Sequence, residues 1–222
     1  MRRFFYAAIV VVLVAGVAAA QDFPKVEIFG GYSLVKLGGS DINDLTTGFE
    51  NEAPTGLTTS TTKWLKKGFD ASIAFNVTKS FGIEANFLYN RADLLKASGT
   101  EEGDSVDAKV KLSDFAFMAG PRFTIRKNDK VTPFAHALFG VNHVKLDPTL
   151  TIAGEDSSED LSDFKASDNG FGMALGGGVD VNVNKAIGIR LIQADYFLAK
   201  HSNSTLNNLS LAFGVVFRFG GK

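Results

Sequence analysis

The chain has 222 residues, room for one domain with a full core, and holds 23 Gly and 20 Phe but no Cys. The missing thiols exclude a disulfide framework and sulfur-ligated metal, and a formal net charge of −1 gives no basic footprint for nucleic acid. After the first 20 residues no apolar run approaches the roughly 20 residues of a membrane-crossing helix, so this mix of aromatics and glycine points to an all-β chain.

Residues 1–20 have the layout of a secretory leader. Arg2 and Arg3 precede an apolar run over 4–17, and Ala18, Ala19 and Ala20 precede Gln21. Cleavage after Ala20 leaves 21–222 as one domain; an uncleaved anchor is the alternative. The absence of Cys near the cut argues against a lipid-anchored lipoprotein. The first strand, about 24–36, places Val26, Ile28, Gly30, Tyr32 and Leu34 on one face. Lys25, Glu27, Phe29, Gly31 and Ser33 take the other, the period of two that marks a strand. A polar stretch, about 37–62, reads as a long loop. The second strand, about 63–77, alternates Phe69, Ala71, Ile73, Phe75 and Val77 with Gly68, Asp70, Ser72, Ala74 and Asn76. A tight turn at 78–80 leads to a third strand, in which Phe81, Ile83, Ala85, Phe87 and Tyr89 oppose Gly82, Glu84, Asn86, Leu88 and Asn90.

A second loop is expected over about 93–106 and a fourth strand over 107–125. There Phe115, Phe117, Ala119, Pro121, Phe123 and Ile125 oppose Asp114, Ala116, Met118, Gly120, Arg122 and Thr124. After a turn at 126–130 comes a fifth strand, about 131–146, with Phe134, His136, Leu138, Gly140 and Asn142 on the polar side. Pro121 and Pro133 belong near strand ends or bulges, since proline has no N–H for a central ladder. An acidic loop, about 147–167, carries Glu155, Asp156, Glu159, Asp160 and Asp163. The sixth strand, about 168–183, sets Phe171, Met173, Leu175, Val179, Val181 and Val183 against small residues and Asp180; Asn184 and Lys185 make the turn. In the seventh, about 186–200, strict alternation would put Gln193 and Asp195 on the apolar face. A β-bulge at Leu191-Ile192 returns both to the face of Arg190 and turns Ile192, Ala194 and Tyr196 the other way. The last strand, 207–219, alternates almost without fault. Leu209, Leu211, Phe213, Val215, Phe217 and Phe219 oppose Ser210, Ala212, Gly214, Val216 and Arg218.

Eight strands joined as hairpins, with connections that alternate long and short, match a transmembrane β-barrel. The closing pair R-L-I-Q-A-D-Y-F and N-N-L-S-L-A-F-G-V-V-F-R-F, with the leader, resembles the OmpA/OmpX-like small bacterial outer-membrane β-barrels, by pattern more than by motif. The resemblance implies an eight-stranded antiparallel transmembrane up-and-down barrel in the cell outer membrane, with both termini periplasmic. It also implies contact with outer-membrane lipid and with the barrel-insertion machinery, which reads the aromatic of the last strand. Here Gly220, Gly221 and Lys222 follow Phe219.

A soluble lipocalin-like barrel would turn the apolar face inward, whereas a membrane barrel turns it outward. The polar face carries Glu27, Asp70, Glu84, Asp114, Arg122, His136, Asp180, Arg190, Asp195 and Arg218, which do not suit the wall of an apolar ligand cavity. The membrane reading therefore makes these residues a lumen charge network. Burying unpaired charge is costly, so carboxylates and arginines must pair. Tyr32, Tyr89 and Phe197 read as girdle residues at the membrane interface.

No catalytic residue, cofactor or metal is assigned. His201 stands beside Ser202 and three residues before Ser204, not the two-residue spacing that would place base and nucleophile on one strand face. The acidic loops lack the D-x-[DN]-x-[DN]-G spacing of a calcium loop. The expected function is a structural surface protein that presents its long loops to an extracellular ligand or host surface. The alternatives are a narrow conduit for small solutes or ions, and a lipid-modifying enzyme.

Overall fold

A computed structural model of the chain describes residues 23–51, 57–101, 104–152, 158–159, 165–201 and 205–221. The expected leader, most of the acidic loop and Ser202 and Ser204 lie outside them. Among the described residues the strands are β1 (Val26–Lys36), β2 (Leu57–Thr61), β3 (Trp64–Asn76), β4 (Phe81–Glu101), β5 (Asp104–Thr124), β6 (Val131–Ile152), β7 (Ser158–Glu159), β8 (Ala166–Asn182), β9 (Ile187–Lys200) and β10 (Thr205–Phe219), with one helix, α1 (Ser40–Asn51).

Eight of the strands close a barrel in the order β1-β3-β4-β5-β6-β8-β9-β10, every pair antiparallel. Closure is made by β1 on β10, in register from Val26 opposite Phe219 to Lys36 opposite Leu209. Closing the sheet leaves no row of unpaired N–H and C=O groups on these strands, which is what a strand needs to sit in lipid. The turns at 77–80, 125–130 and 183–186 lie at the end that also holds Pro24 and Gly220, here termed the turn end. The long connections lie at the opposite, loop end.

The outer wall is an apolar band. Phe69, Phe75, Ile83, Phe117, Phe123, Phe139, Phe171, Leu191, Phe213 and Phe217 are all exposed. A soluble protein hides such side chains; here the charged ones are hidden instead. Aromatics pair across strands on this wall, as Tyr32 with Phe213 at 5.6 Å and Tyr89 with Phe115 at 4.7 Å between ring centres.

The bulge in β9 falls where the alternation fails. Ala212 of β10 faces Gln193 and Gly214 faces Arg190, so β9 has one residue more than its partner between them. Leu191 and Ile192 are consequently both exposed, while Arg190, Gln193 and Asp195 are buried. Pro133 is the third residue of β6, and Pro121 lies near the end of β5, where the β5–β6 pairing lapses at residues 120 and 121.

The loop end departs from expectation. The expected loop over 93–106 is strand at 93–101 and at 104–106: β4 and β5 stay paired to Glu101 opposite Asp104. Leu94, Leu95 and Ala97 are buried there, near Leu112, which lies opposite Ala92, and this gives the extension its own apolar inner face. Likewise β6 runs to Ile152 rather than 146, and β8 and β10 begin at Ala166 and Thr205. The stretch 37–62 holds α1 and β2, which adds to β4 from Leu57 opposite Gly99 to Thr61 opposite Leu95. In α1, Ile42, Thr46 and Phe49 recur at helical spacing, and Ile42 and Phe49 pack on the cluster of Val35, Leu37, Leu65 and Leu206. The helix thus covers the loop-end mouth of the barrel.

Candidate functional site: the filled lumen

Each charged residue singled out on the inner face is buried, and Glu84, Asp180, Arg122 and Arg190 are at most 1 % exposed. All but Asp114 join one connected cluster in the turn-end half. Arg122 stands at its centre, with Nη2 3.3 Å from Glu27 Oε2 and 3.6 Å from Asp180 Oδ2, and Nη1 3.4 Å from Glu84 Oε2. The two Nη2 contacts are ion pairs not aligned as hydrogen bonds. Arg190 donates from Nε to Asp180 Oδ1 at 2.9 Å and from Nη1 to Gln193 Oε1 at 2.6 Å. Arg218 reaches Glu27 and Asp180, each at 3.4 Å.

The chain of contacts continues upward. His136 sits between carboxylates, Nδ1 3.2 Å from Glu84 Oε2 and Nε2 2.9 Å from Asp195 Oδ1. Gln193 donates to Asp195 at 2.7 Å and to Asp70 at 3.3 Å, and Asn86 also donates to Asp70. Among the described residues Asp70 has no direct cation contact and is held by the Asn86 and Gln193 amides. Alternating acid and base around a common centre satisfies charges that would each be costly alone.

Three parts of this cluster fall outside the singled-out set. Arg126, in a short turn, folds back so that Nη2 lies 2.8 Å from Glu27 Oε1 and stoppers the turn end. Phe29 and Phe134 are inner-face aromatics of this half, and guanidinium groups stack on them: Arg190 at 4.0 Å from Phe29, Arg122 at 4.0 Å from Phe134. Gln193 is the branch point between Arg190, Asp195 and Asp70. The signal for the two phenylalanines was present in the sequence, since they interrupt a face otherwise small or polar.

Glycine on the inner wall makes space for these groups. A Cβ at Gly188 would collide with the Arg218 guanidinium, and one at Gly178 would come within 2.9 Å of the Phe134 ring.

Above the charged cluster the filling changes. Leu88, Met118, Leu138, Ala174 and Phe197 form an apolar layer, and Leu65, Leu94, Leu95 and Leu112 continue it to the loop end. Phe197 is therefore not a girdle residue. It follows the bulge-restored register one position after Tyr196, which takes the outer face, and is completely buried inside. An internal cavity of about 10 Å³ lies where the halves meet, with Asp70, Asn86, Asp195 and Ser210 on one side and the apolar layer on the other. That is space for one water at most.

Asp114 stays apart from the charged cluster, beyond the apolar layer. Its carboxylate accepts from Asn142 Nδ2, and Asn142 Oδ1 meets His201 Nε2 at 2.9 Å. His201 Nδ1 lies 3.5 Å from the half-exposed Asp168 carboxylate, so the imidazole bridges the surface to the interior. His143 faces outward, 2.8 Å from Asn169. Among the described residues no group of three His, Asp or Glu side chains is arranged to hold a metal ion.

The family described as "Outer membrane protein beta-barrel domain" matches residues 5–219. Neisserial surface protein A is similar in structure, with 14% identity over 88% of this chain and 97% of that one, and a TM-score of 0.50. Ail, the attachment invasion locus protein of Yersinia pestis, has 18% identity over 88% and 99%, at 0.44. Outer membrane protein W of E. coli has 15% identity over 90% and 100%, at 0.42. No curated protein matches the chain.

Proposed function

The chain belongs to the outer-membrane protein β-barrel family and so to the outer membrane, and from that premise we propose that it is a structural surface protein that presents its loop end and catalyses no reaction. In this reading residues 1–20 are the leader, and both ends and the short turns face the periplasm. The insertion machinery engages β10, and the loop end meets an extracellular ligand or host surface.

One observation carries the reading: the lumen is filled along its length. Arg126 and the ion-pair cluster occupy the turn-end half, the leucine layer occupies the other, and α1 covers the mouth. An eight-stranded barrel is only wide enough for its own side chains. Transport through the lumen would require both fillings to move, so the elaborated part left to act is the loop end. There β4, β5 and β6 project beyond the apolar band and α1, β2 and β7 are added to them. For a lipid-modifying enzyme, the nearest candidate is the Asp168–His201–Asn142 run, whose imidazole points to an amide inside the wall.

The test is removal of loop segments from cells that display the protein. Deleting 147–167, or replacing 37–62 by a short Gly-Ser turn, is expected to leave the heat-dependent gel shift of a folded barrel while attachment to epithelial monolayers falls. Unchanged attachment with both segments gone would overturn the surface-presenting role. External protease that cuts the turns at 77–80 and 125–130 in intact cells would overturn the orientation.

A further inference from the structure

We propose that the outer wall of β3–β6 is a binding site for a membrane lipid whose headgroup bears more than one phosphate, held by a row of cations directly above the lipid-facing aromatics. The proposal rests on the outer-membrane placement and not on the surface-presenting role.

The strand register sets the two rows. Phe69 of β3 lies opposite Tyr89 of β4, Tyr89 opposite Phe115 of β5, and Phe115 opposite His143 of β6. One step toward the loop end, Lys67 lies opposite Arg91, Arg91 opposite Ser113, and Ser113 opposite Lys145. The next steps bring Lys111 opposite Asp93 and Lys109 opposite Lys96. A bulge in β3, between the partners of Ser33 and Val35, turns Lys66 outward beside Lys67.

These side chains line a cleft of about 620 Å³, with Lys66, Lys67, Arg91, Lys96, Lys109 and Lys111 against the carboxylates Asp93 and Asp107. Lys96 pairs with Asp93 at 3.0 Å. Lys66, Lys67, Arg91, Lys109 and Lys111 are exposed, and none has an ion pair within 4.0 Å among the described residues. The hydrogen bond from Lys96, with the charges of Lys96, Lys111 and Lys67, holds the Asp93 carboxyl below the usual range.

Two features select a lipid. First, the cleft stands on the apolar band, so acyl chains against Phe69, Phe87 and Phe117 would carry a headgroup into the cations. Second, cations on β3, β4, β5 and β6 span strands roughly 4.8 Å apart, so Lys67 and Lys111 are about 10 Å apart across the sheet, a distance that suits two phosphates better than one. Among the described residues the opposite wall carries fewer cations: beyond the band, β8 and β10 carry Ser167, Asn169, Thr205 and Asn207, β9 carries Lys200, and Lys165 precedes β8.

The chain has one tryptophan, Trp64, and it lines this cleft, giving a reporter without labelling. The detergent-folded protein is titrated with a diphosphorylated glycolipid, with phosphatidylcholine, and with inositol hexakisphosphate as a chain-free polyphosphate. A saturable change in Trp64 emission is expected with the glycolipid and not with phosphatidylcholine, and the soluble polyphosphate binds at least about tenfold more weakly than the glycolipid. The combined change Lys67→Ala, Arg91→Ala and Lys111→Ala, scored only in protein that keeps its heat-dependent gel shift, raises the Kd by at least about tenfold. Lys200→Ala on the opposite wall leaves it within about twofold. Asp93→Asn, which removes the cleft's central negative charge, tightens binding. Equal response to phosphatidylcholine, equal affinity for the free polyphosphate, or a Kd unmoved by the triple change and by Asp93→Asn overturns the site.

Discussion

From the turn end to the loop end of one barrel the filling passes from Arg122, Arg190, Glu84 and Asp180 to Leu65, Leu94, Leu112 and Leu138. Both halves are close-packed and both block the lumen, but they are held by different physics. The charged half is a mutual constraint: each carboxylate is tolerable only because a guanidinium, the His136 imidazole or amide donors face it, so loss of one member strands the others. The leucine half is additive, and each side chain contributes its own burial. The difference teaches that a barrel of this width can be stoppered by either means, and that the two should fail differently under mutation.

Arg122→Ala is expected to have the largest effect. It leaves Glu27, Glu84 and Asp180 short of a cation, and a broken buried pair costs about 3–5 kcal/mol. Urea unfolding in lipid vesicles reads this directly; a loss under about 1 kcal/mol would erase the contrast between the halves. In the other half Leu138→Ala should cost about 2–3 kcal/mol, by lost burial plus the cavity it leaves. Because the leucine half is additive, Leu138→Ala with Leu112→Ala should equal the sum of the single changes within about 0.5 kcal/mol, and a larger departure would contradict additivity. Ile42→Ala in α1 should cost about 1 kcal/mol, since the helix covers the mouth without closing the barrel.

The smallest effect is at Asp93. Its folded pKa lies below the ordinary aspartate value of 3.8 because Lys96 hydrogen-bonds it. A depressed folded pKa contributes stability above the unfolded value, and that contribution is lost as pH falls through the folded one. Asp93→Asn should therefore cost at most about 0.5 kcal/mol at pH 7, where the pair is partly exposed, and nothing once the pH is below both values. A cost that persists in acid would mean the carboxylate acts by shape and not by charge.

The same contrast explains what the sequence disclosed. In the charged half the alternation is clean, since Glu27, Asp70, Glu84, Arg122, Asp180 and Arg218 sit at every second position against Phe, Ile and Val. The bulge at Leu191-Ile192 was legible because Gln193 and Asp195 would otherwise face lipid. In the leucine half Leu65, Leu88, Leu138 and Phe197 make many inner positions as apolar as the outer ones, so alternation is a weaker sign there. Phe197 thus read as a girdle residue, and 93–106 read as loop although Leu94, Leu95 and Ala97 turn inward there. The helix α1 was hidden for another reason: Asp, Asn, Thr and Gly dominate 40–51, and only Ile42, Thr46 and Phe49 carry its period. The separation of Asp114 from the charged cluster depends on which residues lie between them across strands, a relation of register that one strand does not show.

Planar-bilayer recording of the purified wild-type protein tests the central claim, that both halves of the lumen are closed. The account predicts a silent membrane, with no resolved single-channel steps across a range of salt and voltage. Steady steps whose size grows with salt, and changes in Arg122→Ala or Glu84→Ala, would contradict it and make the charged cluster the lining of a conduit.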